Sequence, residues 1–189
     1  MKQRYFIRIS FKGTNFHGWQ IQPRAVTVQG TLNKALSTVI REKIETTGAG
    51  RTDTGVHAKF FVAHFDSNNE QLDNDSTIIY SLNSLLSPDI SVNKIVKVSK
   101  DAHARFSAIS RTYEYHISRI ENPFEKEFSW YIYGLLDIEK MNEAARLIKS
   151  FNDFTSFSKE HSNVKTNICK ISYAKWDDCG EKLIFTIKA

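Results

Sequence analysis

Between residues 50 and 58 the chain reads Gly50-Arg51-Thr52-Asp53-Thr54-Gly55-Val56-His57-Ala58. One guanidinium, two hydroxyls, one carboxylate and one imidazole follow one another here, with glycines that permit sharp turns. A turn that had only to reverse the chain would need about two to five residues and none of this inventory. A carboxylate so placed can serve as a base or a nucleophile, provided a neighbouring Arg or backbone N–H favours its ionised form. Arg51-Thr52-Asp53 taken alone reads more plainly, as a polar loop whose Asp53 and threonine hydroxyls bond their own backbone.

The elements around this stretch must hold it at the edge of a sheet. The runs 43–49 and 59–66 read as neighbouring strands joined by the Asp53 loop. Upstream, residues 4–12 alternate, with Tyr5, Ile7, Ile9 and Phe11 on one face, which makes a half-buried strand. A loop at 13–20 follows, and then Thr27 caps a helix running to about Glu42, with Val28, Leu32, Ala35, Leu36, Val39 and Ile40 inward. In the strand after the Asp53 loop the inward set is either Phe61, Ala63 and Phe65 or Phe60, Val62 and His64. Asp75 or Ser76 starts a second helix, Ser87-Pro88-Asp89 stops it, and residues 90–98 alternate again. The first half therefore reads β-α-β-β-α-β.

Residues 101–108 form a connector, and the second half reads β-α-β-β: a strand at 110–120, an amphipathic helix at 138–149, and strands at 168–176 and 182–188. The fold class is α+β, two ferredoxin-like (RRM-like) halves with mainly antiparallel sheets, divided into domains 1–100 and 101–189. No sequence-level repeat relates the halves. A sheet of this kind buries one face under two helices, so the single helix of the second half should leave apolar surface uncovered.

Composition narrows the class. The 189 residues allow one large or two small domains, no apolar run approaches a membrane span, and no signal-peptide core is present at the N-terminus. Two cysteines, Cys169 and Cys179, make neither a disulfide framework nor a metal set. The reading is a cytoplasmic protein with no structural metal. A net charge of +5 and a sequence pI near 9.1 are compatible with a polyanionic partner.

The nine residues from Gly50 to Ala58 resemble the catalytic loop of tRNA pseudouridine synthases of the TruA type. Gly18-Trp19-Gln20, Asp101-Ala102-His103-Ala104-Arg105-Phe106-Ser107-Ala108, Arg111-Thr112-Tyr113-Glu114-Tyr115 and Asn152-Asp153-Phe154-Thr155-Ser156-Phe157 resemble further elements of that family. The resemblance implies isomerisation of uridine to pseudouridine at positions 38–40 of the tRNA anticodon stem-loop, in a cleft between the two halves. It makes Asp53 the catalytic carboxylate, acting at C1′ or on the C2′ proton. Arg51 would fill the stack left by the flipped nucleotide, Tyr113 would pack on the uracil, and Arg105 would contact phosphate. His57 is open between a phosphate contact and a loop histidine bonded to the backbone, and Trp19 between an RNA-facing ring and a cap on the sheet edge.

No cofactor or metal is implied; the partners are the tRNA anticodon arm and a second copy of the chain in a homodimer. Family members continue past the equivalent of Ala189, so the chain reads as a truncated member. Two other readings compete. A non-catalytic RRM-like RNA-binding module suits the βαβ order and the basic charge, but no RNP-type aromatic strand is present. A purely structural domain would show no salt-dependent binding of tRNA.

Overall fold

A computed structural model describes residues 2–158 and 166–189. Contacts divide the chain into two compact units, Met1–Ala108 and Ile109–Ala189. Each sets α-helical structure, two helices in the first and, among the described residues, one (Ile138–Ile148) in the second, beside a four-stranded, mostly antiparallel sheet, the α+β arrangement expected from the sequence. Among the described residues no helix is long and apolar enough to cross a membrane.

In the first unit the order is β1 (Gln3–Phe11), α1 (Val28–Ile40), β2 (Thr47–Gly48), β3 (Ala58–Ser67), α2 (Ser76–Leu85) and β4 (Ile90–Lys97). The sheet runs β2-β3-β1-β4. Period-two alternation sends Tyr5, Ile7, Ile9 and Phe11 of β1 into one core with Phe61, Ala63 and Phe65 of β3. This settles which face of β3 is inward. Val28, Leu32, Ala35 and Leu36 of α1 and Leu82 of α2 close that core, each large side chain contributing about 1.5–3 kcal/mol by leaving water. Both helices start where side-chain chemistry says they should: the Thr27 hydroxyl accepts from Gly30 N–H, and the Asp75 carboxylate accepts from Thr77 and Ile78 N–H.

The strand expected at 43–49 is shorter. Pairing with β3 starts at Thr47, because α1 side chains engage the backbone before it. Ser37 accepts from Ile44 N–H, Asn33 accepts from Thr46 N–H, and Gln29 donates to the Thr46 carbonyl. Once those groups are satisfied, nothing drives residues 43–46 onto the sheet edge.

In the second unit the elements are β5 (Thr112–Ser118), β6 (Trp130–Tyr131), α3 (Ile138–Ile148), a short 3-10 turn (Thr155–Phe157), β7 (Tyr173–Asp178) and β8 (Lys182–Lys188). The sheet runs β6-β5-β8-β7, with only the short β6 parallel to its neighbour. The strand expected from residue 168 begins at Tyr173. Residues 167–169 instead bond to the segment after α3, with Phe154 N–H donating to Asn167 O and Cys169 N–H to Asn152 O. Asn142 docks α3 on β7 by exchanging two hydrogen bonds with the backbone of Trp176. Ala145 thereby meets Ala174 and Ile171, with Phe185 and Ile187 beside them. Tyr113 and Tyr115 lie on that same face, opposite Ile187 and Phe185, yet are 52% and 50% exposed. Among the described residues α3 is the helix on this face, and it leaves Tyr113 and Tyr115 uncovered, as the element order predicts.

Candidate active site

The residues from Gly50 to His57 form the connection between β2 and β3. Pairing extends one residue past β2, where Ala49 N–H donates to Val62 O at 2.8 Å, and the chain then leaves the sheet. A turn brings Val56 N–H to Asp53 O at 3.3 Å, and Gly55 supplies its left-handed backbone, φ 82°. Arg51, Asp53 and Thr54 are exposed and His57 is half-buried. The hydroxyl oxygen of Thr52 is shielded from solvent and lacks a hydrogen-bond partner within the described residues.

A second loop, at 13–19, clasps this one. Trp19 N–H donates to Thr52 O at 3.2 Å, Gly55 N–H to Phe16 O at 3.4 Å, and Gly13 N–H to His57 Nδ1 at 3.0 Å. Contact is close enough that a Cβ on Gly13 would stand 2.0 Å from the Val56 carbonyl oxygen, and one on Gly18 2.3 Å from that of Thr52. The clasping loop is anchored in turn. Val28 and Gln29 at the start of α1 donate N–H groups to the carbonyls of Gly18 and Trp19, satisfying donors that a helix start leaves over. Trp19 is 2% exposed, with its ring 4.4 Å from that of Phe61, and a Cβ on Gly48 would meet the indole at 2.6 Å. Of the two roles open to Trp19, the structure selects packing, and the indole holds the clasping loop down on the sheet.

The 101–108 connector belongs to the first unit. It crosses the open face of the sheet, where Arg4 grips Asp66 at 2.8 and 2.9 Å and also donates to Ala102 O at 3.2 Å. His64 Nδ1 accepts from Ala104 N–H at 3.2 Å, and the His103 ring packs 4.5 Å from that of His64. The connector explains why His64, pointing away from the core formed by its neighbours Ala63 and Phe65, is only 7% exposed. Arg105 is exposed, with its guanidinium 5.9 Å from the Phe106 ring centre. Its backbone is fixed next to residues that bond His64, six positions along β3 from Ala58, or roughly 20 Å of strand.

Arg51, Asp53 and His57 are thus brought together on one loop. Arg105 stands on a separate element of the same unit, and Tyr113 stands on β5 of the second unit. Sequence reasoning gave no site role to Gly13, Arg4, His64 or His103, although His64 stood in one candidate inward set and His103 in the connector that resembles the family. The signal for Gly13 was there, a glycine directly after a strand and five residues before another. The two histidines had none, since what makes them matter is contact across 39 or more positions.

Burial, followed by the nearby Arg4 and His103 charges, pushes the His64 imidazole down to about 4, against which Asp66 acts weakly. The folded unit therefore favours neutral His64, whereas the unfolded chain takes up the proton near pH 6.5. The corresponding stability is fully present above pH 6.5 and is lost as pH falls toward about 4. That gap is worth roughly 3 kcal/mol. His64→Asn keeps an acceptor for Ala104 N–H and removes the titration. Urea unfolding of wild type should weaken between pH 6.5 and 4 by that much more than unfolding of His64→Asn, and parallel pH profiles would refute the assignment.

No family model matches the sequence. The chain is 53% identical over 190 residues to the tRNA pseudouridine synthase A of Bacteroides thetaiotaomicron, an alignment covering 99% of this chain and 70% of that protein. It is 52% identical to the enzyme of that name from Bacteroides fragilis and 47% identical to the one from Parabacteroides distasonis, with 99% of this chain and 74% of each relative aligned.

Proposed function

Since the chain belongs to the tRNA pseudouridine synthase A family, a family of isomerases, we propose that it converts uridine to pseudouridine in the anticodon stem-loop of tRNA, at positions 38–40, with Asp53 as the catalytic carboxylate. The observation that carries the assignment of Asp53 is its placement: an exposed carboxylate on a loop tied to a second, packed loop through the backbone of Thr52 and Gly55 and the imidazole of His57. A side chain that must meet the ribose of a large polyanion has to be accessible, and one that must act on a single atom has to be held still.

The reaction is an isomerisation with no net loss of atoms. The C1′–N1 bond breaks, the uracil turns, C5 bonds to C1′, C5 gives up its proton, and N1 ends protonated. Asp53 acts on the ribose, by attack at C1′ or by removal of the C2′ proton. Because N1 is inaccessible in a stacked stem, the nucleotide must flip out at a cost of about a few kcal/mol. Arg51, exposed two residues before Asp53, fills the vacated stack. Tyr113, on β5, packs on the uracil. Arg105, exposed on the connector, contacts phosphate. The enzyme works in the cytoplasm as a homodimer on the anticodon arm.

Tritium release from anticodon stem-loops carrying C5-tritiated uridine at position 38, 39 or 40 tests the site of action. Release from at least one of these, and none from a stem-loop labelled only outside them, is the expected outcome. Absence of release from all three, with release from a label elsewhere in the tRNA, would overturn the assignment.

A further inference from the structure

The bond from Gly13 N–H to His57 Nδ1 joins the second residue after β1 to the last residue before β3, and so closes the Asp53 loop at its base. An imidazole nitrogen that accepts a hydrogen bond carries no proton, so the ring holding this bond is the neutral tautomer with its hydrogen on Nε2. Protonation of Nδ1 would replace an acceptor with a donor facing another donor. The approach is fixed from both sides. Gly13 is buried against the Val56 carbonyl, which leaves no room even for a methyl group, and His57 directly follows Val56. Two further ties between the loops, Trp19 to Thr52 and Gly55 to Phe16, lie on either side of Asp53.

We infer that His57 is a positioning residue: through Nδ1 it locks the Asp53 loop to Gly13, and it acts on the reaction by fixing where the Asp53 carboxylate stands rather than by binding phosphate. This inference rests on Asp53 being the catalytic carboxylate. The two roles for His57 make different demands on its replacement. Asparagine places its amide oxygen near the position of Nδ1 and can accept from Gly13 N–H. Glutamine reaches toward the position of Nε2 and can serve a phosphate but not the lock. Alanine does neither.

The experiment compares kcat and KM for tritium release from the anticodon stem-loop in wild type, His57→Asn, His57→Gln and His57→Ala, with hydrogen exchange of the Gly13 amide as an independent readout. Loss of the lock is expected to lower kcat by about 10- to 100-fold in His57→Ala and His57→Gln, the scale of a misplacement near 1 Å, with KM changed less than about threefold. His57→Asn should recover at least about tenfold of that loss, and Gly13 exchange should be slow in wild type and His57→Asn and fast in the other two. A loss expressed in KM, or rescue by glutamine and not asparagine, would overturn the inference in favour of a phosphate contact. Slow Gly13 exchange in His57→Ala would overturn it as well. Should turnover prove independent of Asp53, the functional reading itself fails and this inference falls with it, an outcome recognisable because Asp53→Ala then stays active.

Discussion

Asp53→Ala is expected to lower turnover on tRNA by at least about 10²- to 10⁴-fold while leaving affinity for tRNA within a few-fold of wild type. The size follows from what one positioned carboxylate contributes when it transfers a proton or attacks carbon. Affinity should survive because binding a polyanion draws on many phosphate contacts, and a carboxylate adds only repulsion to them. Asp53 is exposed, so its truncation opens no cavity and should leave the unfolding midpoint close to wild type. Asp53→Asn is the sharper companion: it retains the shape of the side chain and one of its two acceptor oxygens but has no carboxylate to act as base or nucleophile. Turnover within tenfold of wild type in either variant would remove Asp53 from the chemistry, whatever the family resemblance implies.

The second large effect is expected at Gly18, where two independent costs coincide. Its backbone is left-handed, φ 75°, and a Cβ there would lie 2.3 Å from the Thr52 carbonyl oxygen. Gly18→Ala therefore adds strain of about 1–2 kcal/mol from the left-handed backbone to about 1–3 kcal/mol from overpacking. Gly180 separates the two. Its φ is 77°, nearly the same, but nothing lies within 4 Å of an added Cβ. Gly180→Ala should cost only the backbone part, about 1–2 kcal/mol, and leave activity unchanged. For Gly18→Ala the loss should reach roughly 2–5 kcal/mol in urea unfolding. Turnover should fall further than stability alone explains, because the oxygen that must yield belongs to the residue before Asp53. Equal stability and equal activity in the two variants would show that the 13–19 loop does not constrain the catalytic one.

Both experiments bear on the same property of the molecule. The loop carrying Asp53 has little packing of its own; its most polar residues are exposed. Its order is lent by the 13–19 loop, which is itself held by the start of α1 and by Trp19 against Phe61 and Gly48. A rigid scaffold beneath a polar, accessible loop is how a site can be both open to a large substrate and accurate.

Much of this protein was legible in the order of its residues. Alternation in β1, the 3.6-residue stripe of α1, the Thr27 and Asp75 caps and the β-α-β-β-α-β order all depend on groups within a few positions of each other, and the chain brings those together unaided. The block from Gly50 to Ala58 announced the family for a similar reason, since it is contiguous. Tertiary structure alone decided which face of β3 turned inward, that Trp19 would pack rather than reach outward, that residues 43–46 would bond to α1 instead of the sheet, and that His64 would be buried by a distant connector. It also chose the partner of His57, 44 positions away. Periodicity states how often a side chain faces a given way, and composition states what it can bond. Neither states which distant backbone group will stand 3 Å from it, because that depends on two loops meeting only after β1 and β3, the strands that flank them, have paired.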